Sequence, residues 1–151
     1  MKKLLSILLV LLLVTGSACA ETSTYYMTKY TVLAKIYGAP VLDKDMLQEE
    51  TEKVIKYYNG DLWIMFGAVK SEKINSACVI GADSIDFLPA CVCAALTIPN
   101  PDDGFVDFMG GLLYAYMTVK SGKDAAYGYF DYLQFAITRV ENGLQFLIGE
   151  P

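Results

Sequence analysis

The 151-residue chain contains no histidine, and that absence removes more chemistry than any other feature of its composition. Without imidazole, no side chain has an ordinary pKa near neutrality. Ser-His and Cys-His nucleophile pairs are excluded, as is every histidine metal site. Lysine and arginine are also missing from Ile74 to Val119, a stretch that holds Asp83, Asp86, Asp102, Asp103 and Asp107. With a formal net charge of −5 and no basic patch, nucleic-acid binding is excluded as a function class. Charged residues make up only 19% of the chain against 54% hydrophobic, which is too apolar for a disordered segment. The length suits one domain.

What is present begins with an address. Lys2 and Lys3 precede an apolar run from Leu4 to Val14, interrupted only by Ser6, and Ala18-Cys19-Ala20 supplies a small-x-small cleavage pattern. The run is about half of the ~20 residues that span a bilayer. We therefore expect a secretory signal at 1–20, cleavage between Ala20 and Glu21, and one exported domain, periplasmic or extracellular, at 21–151. Acylation at Cys19, as in a lipoprotein, is the minor alternative. It is disfavoured by Gly16, which stands where such signals carry a branched aliphatic residue. Losing Lys2 and Lys3 leaves ten basic residues against seventeen acids, a net charge of −7.

Helical spacing dominates the expected elements. Tyr26, Tyr30, Leu33 and Tyr37 suit a helix over Thr22 to Tyr37, although a period of two also fits there. Asp43 or Asp45 is placed to cap an amphipathic helix with Leu47, Thr51, Val54, Ile55 and Tyr58 on one face, ended by Asn59-Gly60. Leu62 to Val69 reads as a strand covered on both sides, returning through Ser71 to Lys73 into Ile74 to Ile80 as an antiparallel hairpin. Asp83 opens a helix that runs to about Ile98, with Pro89 disturbing its first turn. Asp102 or Asp103 caps another, with Phe105, Phe108, Met109, Leu112, Tyr116 and Val119 as its apolar stripe. A last helix from Lys123 carries Ala126, Phe130, Leu133, Ile137 and Val140 and continues past Gly143 to Phe146 and Leu147. The expected fold is a helix-dominated α+β domain of about five helices plus one β-hairpin, with all-α as the alternative.

No constellation identifies a reaction. Cys78, Cys91 and Cys93 are buried free thiols or one structural disulfide from Cys78 to Cys91 or Cys93, which export would permit. On a helix Cys91 and Cys93 point about 200° apart, and their spacing matches no zinc motif. Asn100 to Asp107 resembles a calcium loop only superficially, because the required glycine would fall at Phe105 and the glutamate at Gly111. Helix capping accounts for the same aspartates. Asp83 and Asp86 lack the cleft of a glycosidase pair. Gly110 and Gly111 suit close helix packing. No catalytic residue, metal site or cofactor is assigned.

The positive signal is aromatic. Eleven tyrosines are a surplus for this length, and five of them, Tyr114, Tyr116, Tyr127, Tyr129 and Tyr132, cluster late in the chain. Trp63, Tyr114, Tyr127 and Tyr129 are the candidate binding residues, because aromatic rings stack on sugars and anchor protein partners; Tyr116 and Phe130 fit the core instead. The function expected is an exported, non-catalytic binding or interaction module for an unidentified protein or small-molecule ligand. A membrane-associated protein built on the apolar helices between Ile85 and Val119 is the alternative, and an enzyme using carboxylates or a thiol ranks last. Membrane insertion is not expected, since each of those helices falls short of the ~20 residues required.

Overall fold

Alternation of buried and exposed residues, rather than helical periodicity, governs most of the chain. The computed structural model describes residues 25–68, 74–98 and 104–151. The expected leader with its cut after Ala20, Cys19, the 71–73 loop and the capping pair Asp102 and Asp103 fall outside the described residues.

Helix α1 covers residues 25–37 and buries Tyr26, Tyr30 and Ala34, four residues apart, on one stripe. Gly38 at φ 73° ends it. Asp43 then closes a 3-10 turn, Lys44–Met46, its carboxylate accepting from the amides of Asp45 at 2.9 Å and Met46 at 3.2 Å. Four strands follow: β1 (Leu47–Glu50), β2 (Val54–Tyr58), β3 (Leu62–Ala68) and β4 (Ile74–Gly81). Helices α2 (Phe87–Thr97) and α3 (Phe105–Lys120) come next, then β5 (Ala125–Phe130), β6 (Leu133–Val140) and β7 (Gly143–Gly149). All seven strands make one antiparallel sheet in the order β1-β2-β3-β4-β7-β6-β5, so two meanders join where β7 pairs with β4.

This corrects the expected helix-dominated fold. The described residues hold three helices and a seven-stranded sheet, neither five helices with one hairpin nor an all-α bundle. The segment expected as an amphipathic helix from Asp43 is a hairpin. Ile55 and Tyr57 point inward while Val54, Lys56 and Tyr58 point outward. Its turn is tied by Thr51, whose hydroxyl accepts from the amides of Lys53 and Val54 at 3.2 and 3.1 Å. Asn59-Gly60, expected as a helix stop, is the next turn: the Asn59 side chain accepts from the amides of Asp61 and Leu62, and Gly60 sits at φ 100°.

The last expected helix is three strands. Leu133, Phe135 and Ile137, then Leu144, Phe146 and Ile148, bury every second residue. Asp131 at φ 52° and Gly143 at φ 151° turn the two tight hairpins. The pair β3 and β4 is antiparallel in register from Leu62 opposite Gly81 to Ala68 opposite Ile74, but at the centre of a sheet rather than alone. Two smaller differences concern the helices. Asp86 rather than Asp83 sits at the N-cap of α2, which places Pro89 in the first turn, where a missing amide is tolerated. Gly104 rather than an aspartate sits at the N-cap of α3.

All three helices lie on one face of the sheet. Tyr30 of α1 meets Phe66 of β3 edge-on, and Phe108 of α3 stacks on Phe130 and meets Phe135. Arg139 of β6 donates to the Val119 carbonyl at the end of α3. The core between these layers contains Ile55, Ile64, Val79, Phe87, Cys91 and Phe146 among others, all buried. Tyr116, expected as core, is only half-buried, and its hydroxyl donates to Asp83 at 2.6 Å.

Candidate functional site

The opposite face of the sheet carries no described helix. Strand pairing sorts its outward side chains into three rows. The first runs Tyr58, Trp63, Ile80, Gln145, Thr138 and Ala125 across β2, β3, β4, β7, β6 and β5. The second runs Lys56, Met65, Cys78, Leu147, Ala136 and Tyr127, and the third Val54, Gly67, Ser76, Gly149, Gln134 and Tyr129. Among these eighteen positions the only charge is Lys56, and its ammonium is bonded to Glu49 of β1 at 2.6 Å.

The face is therefore open, nearly uncharged and rich in aromatic and apolar groups. Trp63 is 38% exposed, Leu147 49%, Tyr127 65% and Tyr129 67%. Tyr58 and Trp63 stack on each other across the β2–β3 pair, centroids 4.8 Å apart and planes at 25°, as cross-strand aromatic pairs do. The expectation that β3 is covered on both sides is corrected here, since only its Leu62, Ile64 and Phe66 side is buried in the core. Of the four candidate binding residues, the structure brings Trp63, Tyr127 and Tyr129 onto this one face and places Tyr114 on α3, 73% exposed on the helical side. Residue-by-residue reading missed Met65, Ile80, Gln145 and Leu147. Met65 and Ile80 share the face of Trp63 through the β3–β4 register, whereas Gln145 and Leu147 gain meaning only once β7 is known to insert beside β4, a pairing between segments about 70 residues apart.

The cysteines divide between the two sides. Cys78 lies at the middle of the outer face, with the Gln145 amide 3.6 Å from its sulfur, while Cys91 and Cys93 lie on α2 beneath the sheet, and all three thiols are free and buried. Burial pushes each of them up, Cys93 to about 12 and Cys91 well above the ordinary thiol value. Such thiols hold little thiolate at neutral pH. Asp83 is held below the usual carboxylate range, first by its bond from Lys120 and then by that from Tyr116. It joins the β4–α2 connection to α3 and stands apart from the outer face. Among the described residues no group of three or more His, Cys, Asp or Glu side chains is placed to hold a metal ion.

The helical side offers a second, smaller feature. Leu88, Pro89 and Val92 of α2, Met109 and Leu113 of α3 and Tyr37 at the end of α1 line an open hollow of about 380 Å³. Gly110 borders it with nothing within 4 Å of where a Cβ would stand, whereas Gly111 lies in ordinary contact with Phe135. Thus only one of the two glycines expected to pack closely does so. At 11 and 16 residues, α2 and α3 are short, and among the described residues no helix is long and apolar enough to cross a membrane. Comparison with protein-family models, with curated proteins and with solved structures finds no match.

Proposed function

We propose that this chain is an exported, non-catalytic binding module that engages a protein through the outer face of its sheet. The observation that carries the proposal is the open, nearly uncharged face bearing Tyr58, Trp63, Met65, Leu147, Tyr127 and Tyr129. Interface cores are enriched in tyrosine, tryptophan and methionine and depleted of charge, and contiguous apolar patches of this kind mark interaction sites. A sugar fits less well, because Tyr58 and Trp63 cover one face of each other's rings. Export is supported by the basic start, apolar run and Ala18-Cys19-Ala20 pattern of the sequence. A binding rather than catalytic role is supported by thiols held in their protonated form and by an Asp83 engaged in its own ion pair.

The test is a photo-crosslinking residue at position 147, in the middle of the sheet, compared with one at position 114 on α3, in cells that export the protein. Capture of a polypeptide from 147 but not from 114 is expected, with the crosslinker-bearing chain itself starting at Glu21 by intact mass. Capture from 114 alone would refute the proposal.

A further inference from the structure

The three rows of the outer face differ in height, and the difference runs along the strands. At the β2, β3, β4 and β7 positions the first row is Tyr58, Trp63, Ile80 and Gln145, and the third is Val54, Gly67, Ser76 and Gly149. The low end is built into the backbone. A Cβ at Gly67 would stand 2.1 Å from the Ser76 hydroxyl and 3.4 Å from Asn75 Oδ1, and one at Gly149 3.1 Å from the Ser76 Cβ, so Ser76, bonded to Asn75, occupies the space over Gly67 and abuts Gly149. The centre of the face is a wedge, tall along Trp63 and low along Ser76.

We infer that this face docks onto the same face of a second copy of the chain, inverted by a two-fold axis that crosses the strands at the Cys78 row. The inference rests on the outer face being the binding face and names its partner. Under this axis each strand lies over its own counterpart. Trp63 comes over Gly67 of the other copy, Ile80 over Ser76 and Gln145 over Gly149, while the Met65, Cys78 and Leu147 row meets itself. Tall fills low twice, as an isologous interface requires. A two-fold along the strands sets the bulky row over itself at Ile80 and leaves the glycine row facing glycine.

Charge points to the same partner. The chain carries a net −5, so two copies repel over most of their surfaces. Among the described residues the outer face carries no acid except Glu49, and that carboxylate is neutralised by Lys56. With Lys56 over Lys56 and Glu49 beside each, the pairs re-form equally well across the interface. Six strands at about 4.8 Å each and three rows at about 6.7 Å each give a face of roughly 30 by 20 Å, about 600 Å² and the lower end of one side of a standard interface. Aligned sheets pack about 10 Å apart and rotate by about 30°, so the overlay holds best at β3, β4 and β7. At that spacing the two Cys78 Cα atoms are too far apart for a disulfide, which needs them within about 7 Å, and the dimer is non-covalent.

Sedimentation velocity of the exported, purified protein at rising concentration tests this, read together with the emission of Trp63, the chain's single tryptophan. We expect a monomer–dimer transition and a blue shift of the emission with the same midpoint. Leu147→Lys and Leu147→Glu should each weaken the dimer at least tenfold while melting like the parent, since Leu147 is half exposed in the monomer. An equal mixture of the two should restore it, because position 147 faces its own counterpart. Restoration of Leu147→Glu by Met65→Lys instead would set the axis along the strands and overturn the arrangement, as would a dimer indifferent to Leu147→Lys. A chain that stays monomeric, yet whose position-147 crosslinker captures a different polypeptide, would overturn the second copy and leave the protein-binding face standing. A monomer with no capture would refute both.

Discussion

Replacing Gly128 by alanine separates the sheet from the helix that the sequence pattern suggests, because the two assign opposite signs to the change. In a helix over 123–147, alanine would gain about 1 kcal/mol over glycine. In the sheet, Gly128 of β5 pairs with Phe135 of β6, whose ring lies across it. A Cβ there would stand 2.3, 2.7 and 3.0 Å from three atoms of that ring. The ring has little room to give, since Phe108 meets it edge-on at 5.6 Å and Phe146 lies at 6.0 Å. Overpacking of this kind costs about 1–3 kcal/mol, and displacing the ring forfeits part of aromatic contacts that contribute ~0.5–1.5 kcal/mol each. We expect a net loss of about 2–4 kcal/mol, read by thermal and urea unfolding, with a fall in Tm of roughly 6–15 °C for a domain of this size. Shortening the ring should relieve the strain. The double variant Gly128→Ala, Phe135→Leu should therefore lose less than the two single variants together, by about 1 kcal/mol or more. Gly110→Ala, on an open surface of α3, is the control and should gain about 0.5–1 kcal/mol. An unchanged or raised Tm for Gly128→Ala would refute the packing described for β5 and β6.

Other outcomes follow from single groups. The Tyr30 hydroxyl is buried and has no hydrogen-bond partner among the described residues, so Tyr30→Phe should leave stability unchanged or raise it by about 1 kcal/mol in urea unfolding. Cys78, Cys91 and Cys93 should resist alkylation in the native protein at pH 8 and react together only after unfolding, followed by mass; rapid labelling of Cys91 in the folded chain would contradict its burial. Asp83 has a lowered folded pKa, so its stabilising contribution is present above the ordinary value of 3.8 and is lost as pH falls through the folded value. Asp83→Asn should accordingly melt slightly below the parent at pH 7 and together with it at pH 2, the difference being small because the pair is exposed.

Local signals made some of this legible in the sequence. The aromatic run from Leu62 and the polar break after Val69 indicate the β3–β4 hairpin, and Pro99 with the apolar stripe of Phe108 and Leu112 indicates α2 and α3. The rest was hidden by coincidence of period. Leu47, Thr51, Val54, Ile55 and Tyr58 mark one face of a helix. The same segment also contains Ile55 and Tyr57, alternating inward in a strand. Ala126, Phe130, Leu133 and Ile137 satisfy helical spacing only because two-residue turns fall between strands whose inward residues happen to land there. Asn59-Gly60 and Asn142-Gly143 were the distinguishing marks, since asparagine-glycine suits a hairpin turn as well as a helix end. As for the site, Trp63, Tyr127 and Tyr129 stand out as aromatic residues in sequence. Their common face does not, because it depends on β7 inserting between β4 and β6.

The central claim is that the sheet's outer face, not the helical side, is where this protein meets its partner. Oxidative footprinting read by mass spectrometry tests it directly, comparing purified protein at nanomolar concentration with the same protein at its native level in the medium or cell fraction where it is found. Trp63, Met65, Tyr127 and Leu147 should be modified in the dilute sample and protected in the native one, with Leu113, Tyr114 and Met117 modified equally in both. Protection confined to the α3 residues, with the outer face still reactive, would contradict the account.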